Sequence, residues 1–277
     1  MPELPEVETI VRQLQKTVQG KIIAEIEILD KKYVNRKINS SPQIPELSSL
    51  QNTPSAKIIK ITRRAKAILM KLSQGKHLFI RLGMTGYFSH ALSEESSKKE
   101  YGKVIIHFHD RSSLTFHDIR KFGSFQIFSE QELQQELKKI GPEPLAAHFT
   151  PSLLFQLLQN KKNATLKTTL MDQSVLAGIG NIYAQEALYH AKISPQRRAG
   201  SVTAEEAKKL HSALQLILQR AIAAGGSTVD NYSSLDGAGS FQQQLTVYQK
   251  DFCPKSHPLQ RIVLGGRGTW MCKVCQK

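Results

Sequence analysis

Cysteine is almost missing from this chain: there are three, Cys253, Cys272 and Cys275, and none before residue 253. An odd, clustered set argues against a disulfide framework and makes metal ligation the better reading in a reducing compartment. No apolar run approaches the length of a membrane span, so no membrane partner is expected. The N-terminal stretch is acidic and amphipathic, without the basic start and apolar core of a secretory signal, and a cytosolic protein is expected. No internal repeat occurs, which sets solenoids aside. Acids are also short: 23 Asp and Glu stand against 38 Lys and Arg, a formal net charge of +15, which makes an anionic polymer the leading partner. With 277 residues, 40% of them hydrophobic, the chain can bury one large core or two smaller ones, and two domains are expected.

Val7, Ile10, Val11, Leu14 and Val18 repeat at helical spacing, and Gly20 is placed to end the helix. Short β-rich runs follow at Lys21–Leu29, Ala56–Ile61, Ala67–Leu72, His77–Leu82, Val104–His109, Ser113–His117 and Ser124–Phe128, a pattern that suggests a sandwich or barrel. Ser93–Glu100 reads as an exposed loop, and Gly141-Pro142-Glu143-Pro144 as the linker that closes the first domain. Beyond it the pattern is helical, at Pro151–Gln159, Thr165–Met171, Ile182–His190 and Thr203–Ala223, the last opening on a capping box, Thr203 to Glu206. Gly225-Gly226 then opens a long loop to about Ser240, and residues 247–277 read as a small cysteine-bearing ribbon. The expected domains are 1–140, 141–246 and 247–277.

The N-terminal residues carry the most pointed chemistry. Removal of Met1 leaves Pro2 as a secondary amine beside carboxylates. An α-amino group, with a pKa near 8, is partly unprotonated at neutral pH and can serve as a nucleophile. Attack on a sugar C1′ would give an iminium ion, with Glu3 and Glu6 as candidate proton carriers. Pro5 and Glu8 read instead as ordinary helix-start residues. Further along, Gly178-Ile179-Gly180-Asn181 leads into a helix, so its backbone N–H groups and the Asn181 side chain can hold a phosphate.

Seven ordered blocks, among them MPELPEVET, ITRRAKAILMKL, IRLGMTGYF, FHDIRKFGSF, LMDQSVLAGIGNIYAQEAL, the loop Ser233-Ser234-Leu235-Asp236-Gly237 and GGRGTWMCKVCQK, resemble the formamidopyrimidine-DNA glycosylases over the whole length. The resemblance implies an α+β fold: an N-terminal helix plus a two-layer β-sandwich, then a helix-two-turns-helix domain with a C-terminal zinc-ribbon hairpin. It implies a monomeric bacterial enzyme, nucleoid-associated, that excises oxidised purines from duplex DNA and nicks the strand at the abasic site. Pro2 would be the nucleophile, Glu3 its proton donor, Lys66 a second active-site amine and Arg267 the clamp on a phosphate near the lesion. Met84, Arg120 and Phe122 match the residues that fill the gap left by an extruded base, a step such enzymes need because the stacked base is out of reach. Glu6, Lys162, Lys167 and Asn181 fall among the DNA-facing residues, and contacts of that kind position a duplex without reading it.

The sequence departs from the family pattern in three places. Ser256 stands where the ribbon has its second cysteine, one residue is missing after it, and His257 can complete a zinc site with Cys253, Cys272 and Cys275. Tyr101 replaces a DNA-contacting histidine, and Thr168-Thr169 follows Lys167 where a proline is common. Rival readings are an endonuclease VIII-like preference for oxidised pyrimidines, a non-catalytic binder of damaged DNA, and a plain zinc-ribbon nucleic-acid module. Intact Pro2, Glu3 and Lys66 weigh against the binder.

Overall fold

A computed structural model of the chain describes residues 2–33, 55–93, 101–227, 235, 237 and 239–277. The expected loop at Ser93–Glu100 lies outside the described residues from 94 onward, as do Met1 and, in the 225–240 connection, Ser233, Ser234 and Asp236. Two compact units make up the fold. One comprises Met1–Pro2, Glu6–Lys138 and Ser227–Gly239; the other Glu3–Pro5, Lys139–Gly226 and Ser240–Lys277. No described helix is long and apolar enough to cross a membrane.

In the first unit, helix α1 (Leu4–Thr17) buries Val7, Ile10, Val11 and Leu14, with Val18 just past its end, and leaves Arg12, Gln15 and Lys16 outside. Gly20, at φ +89°, ends it in a conformation that a side chain would resist. Eight strands follow: β1 (Ile22–Ile28), β2 (Ala56–Arg64), β3 (Ala67–Leu72), β4 (Lys76–Arg81), β5 (Gly86–Ala91), β6 (Gly102–Phe108), β7 (Ser113–Asp118) and β8 (Ser124–Ser129). They form one antiparallel sheet in the order β5-β7-β6-β1-β2-β3-β4-β8. The β1–β2 junction is short among the described residues, with the strand pairs Ile22–Lys57 and Ile23–Ala56 extended by Ile58 N–H to Lys21 O at 3.0 Å, and the sheet is arranged in two layers. Ile26, Val104, Ile106, Leu114 and Phe116 of one layer share a core with Ile61, Ile68, Met70, Ile80, Phe125 and Ile127 of the other, and α1 adds its apolar face. Phe116 and Phe125 meet across the layers with ring centroids 6.2 Å apart.

Two elements were not anticipated from the pattern. Strand β5 begins within the glycine-bearing block Leu82–Phe88, where turn residues mask its alternation, and it is recruited by pairing with β7 from Gly86–Asp118 to Ala91–Ser113. Helix α2 (Glu130–Leu137) is largely polar, but Ser129 and Glu132 form a reciprocal capping box that would have revealed it. Its Leu133 covers Leu69, Phe79 and Phe128 on the outer face of the second layer.

The second unit holds α3 (Pro151–Asn160), α4 (Leu166–Met171), α5 (Asn181–His190), α6 (Ala204–Ala223) and the hairpin β9 (Gln260–Leu264) with β10 (Arg267–Met271). The Thr203–Glu206 capping box forms as expected. Gly141–Pro144 is docked rather than slack: Gly141 N–H donates to Gln173 O (2.8 Å) and Ala177 N–H to Pro142 O (3.0 Å). Helix α5 is the centre of this unit, and its residues Ile182–Tyr189 are all buried. Gln185 reaches the hairpin, accepting from Trp270 N–H at 2.6 Å. Glu186, 1% exposed, accepts from the N–H groups of Thr246 (2.9 Å), Val247 (3.0 Å) and Tyr248 (2.9 Å).

Glu186→Ala would strand three backbone N–H donors and the Thr246 hydroxyl at once, so we expect a loss of about 3 kcal/mol. Trp270 is the single tryptophan and lies on β10 beside Tyr248, so its fluorescence during urea unfolding reads this unit. A loss below about 1 kcal/mol would show that these loops hold without the carboxylate.

Candidate active site and metal centre

Pro2 is buried. Lys66 sits in the two-residue turn between β2 and β3, after Ala65 at φ +53°. The turn is braced by Arg63, which donates to Ala65 O (3.0 Å) and to Glu8 of α1 (3.0 Å), while Arg12 binds the other oxygen of Glu8 (3.0 Å). Glu8 is therefore more than a helix-start residue: it ties the lysine turn to the helix. Glu6 is 2% exposed and accepts from the Ser227 N–H (2.8 Å), a buried fastening rather than a surface contact.

Met84 lies in the tight turn Leu82–Gly86, closed by Gly86 N–H to Leu82 O at 2.9 Å, and is half-buried. Arg120 and Phe122 occupy the exposed turn between β7 and β8, with the Arg120 guanidinium 5.1 Å from the Phe122 ring centre. Phe122 is 48% exposed and Ile119 47%, an apolar tip on a cationic loop. Tyr101 is half-exposed at φ +56°, next to β6, and its carbonyl accepts from Asp118 N–H.

In the second unit the expected phosphate cradle is already occupied. Glu3 places its carboxylate on the start of α5, where Oε2 accepts from Gly180 N–H (2.6 Å) and Tyr183 N–H (3.4 Å), and Oε1 from Ile182 N–H (2.8 Å). The orphan donors of the first helical turn attract the nearest available anion, and Glu3, 3% exposed, is that anion. Asn181 turns to the hairpin: its Nδ2 donates to Gly268 O at 3.3 Å, and its Oδ1 is buried with no hydrogen-bond partner among the described residues.

Lys167 is not the surface cation that its motif suggests. It is fully buried and donates to Thr269 Oγ1 at 2.6 Å. Burial, and then repulsion from Arg267, lower its pKa from 10.5 to about 8, with Glu3 pulling the other way. Arg267 itself is exposed and opens β10 after Gly265 and Gly266, at φ +57° and +70°, the two positive values that a type I′ hairpin turn requires. Lys162 is exposed between α3 and α4, while its neighbour Lys161 pairs with Asp172 at 3.2 Å.

Cys253, His257, Cys272 and Cys275 converge, with one ligand atom from each lying within 4.8 Å of the others. His257 Nδ1 stands 3.6 Å from Cys253 Sγ, 3.7 Å from Cys272 Sγ and 3.3 Å from Cys275 Sγ. A tetrahedron built on ordinary zinc–sulfur and zinc–nitrogen lengths has S–N edges of about 3.6 Å, so the four donors fit the ion. Ser256 is exposed and at φ +58°, a left-handed turn that swings the chain so that residue 257, not 256, enters the cluster. Burial pushes the Cys253 thiol up, but the N–H groups of Lys255 and His257 and the Tyr189 hydroxyl favour the thiolate and bring it down to about 6.

The first 125 residues match the formamidopyrimidine-DNA glycosylase N-terminal domain, and residues 140–233 the formamidopyrimidine-DNA glycosylase H2TH domain. Curated relatives called formamidopyrimidine-DNA glycosylase include one from Exiguobacterium sibiricum, 35% identical over all of this chain and 99% of its own. Another, from Bacillus licheniformis, is 38% identical over the whole of both chains. Among solved structures, Lactococcus lactis Fpg with DNA containing an abasic site aligns with a TM-score of 0.89 at 32% identity over 99% of each chain. MutM with DNA containing carbocyclic 8-oxo-G aligns with a TM-score of 0.89 at 31% identity over 100% of each.

The lysine makes a signed prediction. Because the folded pKa of Lys167 lies below its unfolded value, the folded state binds fewer protons between about pH 8 and 10.5, and stability attributable to this side chain rises with pH across that window. Relative to Lys167→Met, the wild type should gain stability between pH 7.5 and 10 in paired urea titrations. A difference that stays flat would mean that the ammonium is not desolvated.

Proposed function

The chain belongs to the formamidopyrimidine-DNA glycosylase family, and on that basis we propose that it excises oxidised purines, 8-oxoguanine and formamidopyrimidines, from duplex DNA and nicks the resulting abasic site. The observation that carries this reading is the pairing of a full-length family match with an intact Pro2-Glu3, in which Glu3 is anchored by three backbone donors and so fixes the residue beside the amine. The Pro2 nitrogen attacks C1′ of the damaged nucleotide, the C1′–base bond breaks, and the base leaves with a proton. The amine nitrogen then loses its own proton and shares its lone pair with C1′ as the C1′–O4′ bond breaks, so the sugar ring opens, O4′ takes up a proton and an iminium results. That cation acidifies the C2′ hydrogens, so that removal of a C2′ proton expels the 3′ phosphate. Glu3, with both oxygens accepting, is the carboxylate nearest along the chain to carry protons in these steps. Lys66 on its braced turn is the second amine of the site.

Residues 1–140 would carry the chemistry, 141–246 the grip on the duplex, and 247–277 the ribbon. Met84, Arg120 and Phe122 fill the gap in the stack left by the extruded nucleotide. Arg267 at its hairpin tip and the exposed Lys162 bind phosphates, and a +15 chain supplies the salt-dependent attraction to DNA. The buried Lys167 acts on the orientation of Arg267 through Thr269, whose Oγ1 also donates to the Arg267 carbonyl at 3.1 Å.

A zinc ion held by Cys253, His257, Cys272 and Cys275 would brace the ribbon and take no part in bond breaking, since all four positions are filled by protein. The chain's own contribution is the aim of Arg267, which lies on the hairpin between the two halves of the ligand set.

Borohydride trapping tests the chemistry. Reduction should lock the protein to duplexes that carry an oxidised purine, with the bond on residue 2 by mass spectrometry, and Pro2→Gly should lose about a hundredfold or more in trapping rate. Trapping on oxidised pyrimidines alone would favour the endonuclease VIII-like reading, and no trapping with intact lesion binding would favour the binder.

Metal analysis tests the ribbon. The purified protein should hold about one zinc, released by His257→Ala and retained by Ser256→Ala, because a serine hydroxyl is a poor ligand beside thiolates. Metal loss should weaken DNA binding while trapping at saturating enzyme survives. A metal-free protein with full DNA affinity would refute the assignment.

A further inference from the structure

Asp118 has no role in the chemistry above, yet it is completely buried and sits where two turns meet. Its Oδ1 accepts from the Thr85 hydroxyl at 2.6 Å, and its Oδ2 from Gly123 N–H at 2.6 Å and the Tyr33 hydroxyl at 2.7 Å. Thr85 Oγ1 in turn accepts from Arg120 N–H at 2.9 Å. One carboxylate therefore binds the neighbour of Met84, the neighbour of Phe122 and, through one hydroxyl, the backbone of Arg120.

The two turns also touch backbone to backbone. A Cβ on Gly83 would fall 2.4 Å from Gly123 N and 2.5 Å from Phe122 C, and one on Gly123 would fall 2.9 Å from Asp118 Oδ2. Glycine at both positions lets the turns seat against each other. The outer edge of the second turn is tied as well, Lys121 pairing with Asp30 at 2.8 Å and its carbonyl accepting from Lys32 Nζ at 2.7 Å.

We propose that Asp118 is the positioning residue of the wedge: it fixes the Met84 turn and the Arg120–Phe122 turn as one rigid unit, so that three side chains from two loops can enter the stack together. The inference rests on the proposed wedge role of those three residues. The described donors to Asp118 are neutral, and two of the three, Thr85 and Gly123, come from the turns whose placement the wedge needs. A buried carboxylate is tolerated only while its acceptors are satisfied, which makes the arrangement all-or-none rather than gradually adjustable. Holding the wedge ready before contact removes the cost of ordering it on the DNA.

The experiment compares Asp118→Asn, Thr85→Val and Thr85→Ser in single-turnover excision of an oxidised purine and in cleavage of a pre-formed abasic site in the same duplex. Met84→Ala serves as the benchmark for a lost wedge. Excision should fall roughly tenfold or more in Asp118→Asn and Thr85→Val, while abasic cleavage stays within about threefold. Thr85→Ser, which keeps the hydroxyl, should restore excision to within about threefold of wild type. Amide exchange across residues 118–124, measured without DNA, should quicken in Asp118→Asn and Thr85→Val and not in Thr85→Ser. Full excision in Thr85→Val, or equal losses on both substrates at an unchanged melting temperature, overturns the proposal, as does unchanged exchange in Asp118→Asn. If the wild type excises nothing while the exchange pattern still changes as described, the functional reading fails and the hub stands.

Discussion

The carboxylate of Glu3 on the first turn of α5 is the contact on which the candidate site depends. The start of a helix presents unpaired N–H groups and the positive end of the peptide dipoles, and a buried start must find an anion. Glu3 is 3% exposed and meets that demand with three hydrogen bonds. The exchange is mutual, because burial of the carboxylate is tolerable only with those donors. With residue 3 so fixed, residue 2 is left one peptide unit of freedom, the constraint that the proposed role of Pro2 as a nucleophile requires. Leu4 adds a second tie, its N–H donating to Gly178 O at 3.0 Å. Gly178 is glycine for a steric reason: a Cβ there would fall 2.7 Å from that of Leu4.

The same device recurs at three other places. Glu6 holds Ser227, Asp118 holds the turns that carry Thr85 and Gly123, and Glu186 holds residues 246–248 against α5. A chain with only 23 acids and a net charge of +15 thus spends several of its carboxylates inside, as acceptors for loop N–H groups, and leaves the basic excess to the surface. That division suits a protein whose partner is a polyanion, since an acid moved indoors no longer repels phosphate.

In the ribbon, backbone geometry brings a histidine to three cysteines. Ser256 cannot replace a thiolate, but its left-handed conformation, with Ser256 N–H on Cys253 O and Cys253 N–H on His257 O, closes a turn that delivers the next residue. His257 then faces three sulfurs at distances that suit one tetrahedral ion.

Much of this was legible without coordinates. The 3.6-residue period of α1, the alternating strands, the Thr203–Glu206 capping box and the Cys/His spacing are local patterns, and local patterns follow from steric and hydrogen-bonding rules that act over a few residues. Strand β5 and helix α2 escaped because one hides among turn glycines and the other carries few apolar residues. What the sequence by itself determined was most of the elements, the basic character and the family-defining residues. Tertiary structure alone decided that Glu3 caps a helix 177 residues away, that Lys167 is buried on Thr269, and that Asp118 binds Thr85, 33 residues before it. Such pairings depend on which donor a buried acceptor meets once the chain has folded back on itself, and no period or spacing in the linear sequence encodes that choice.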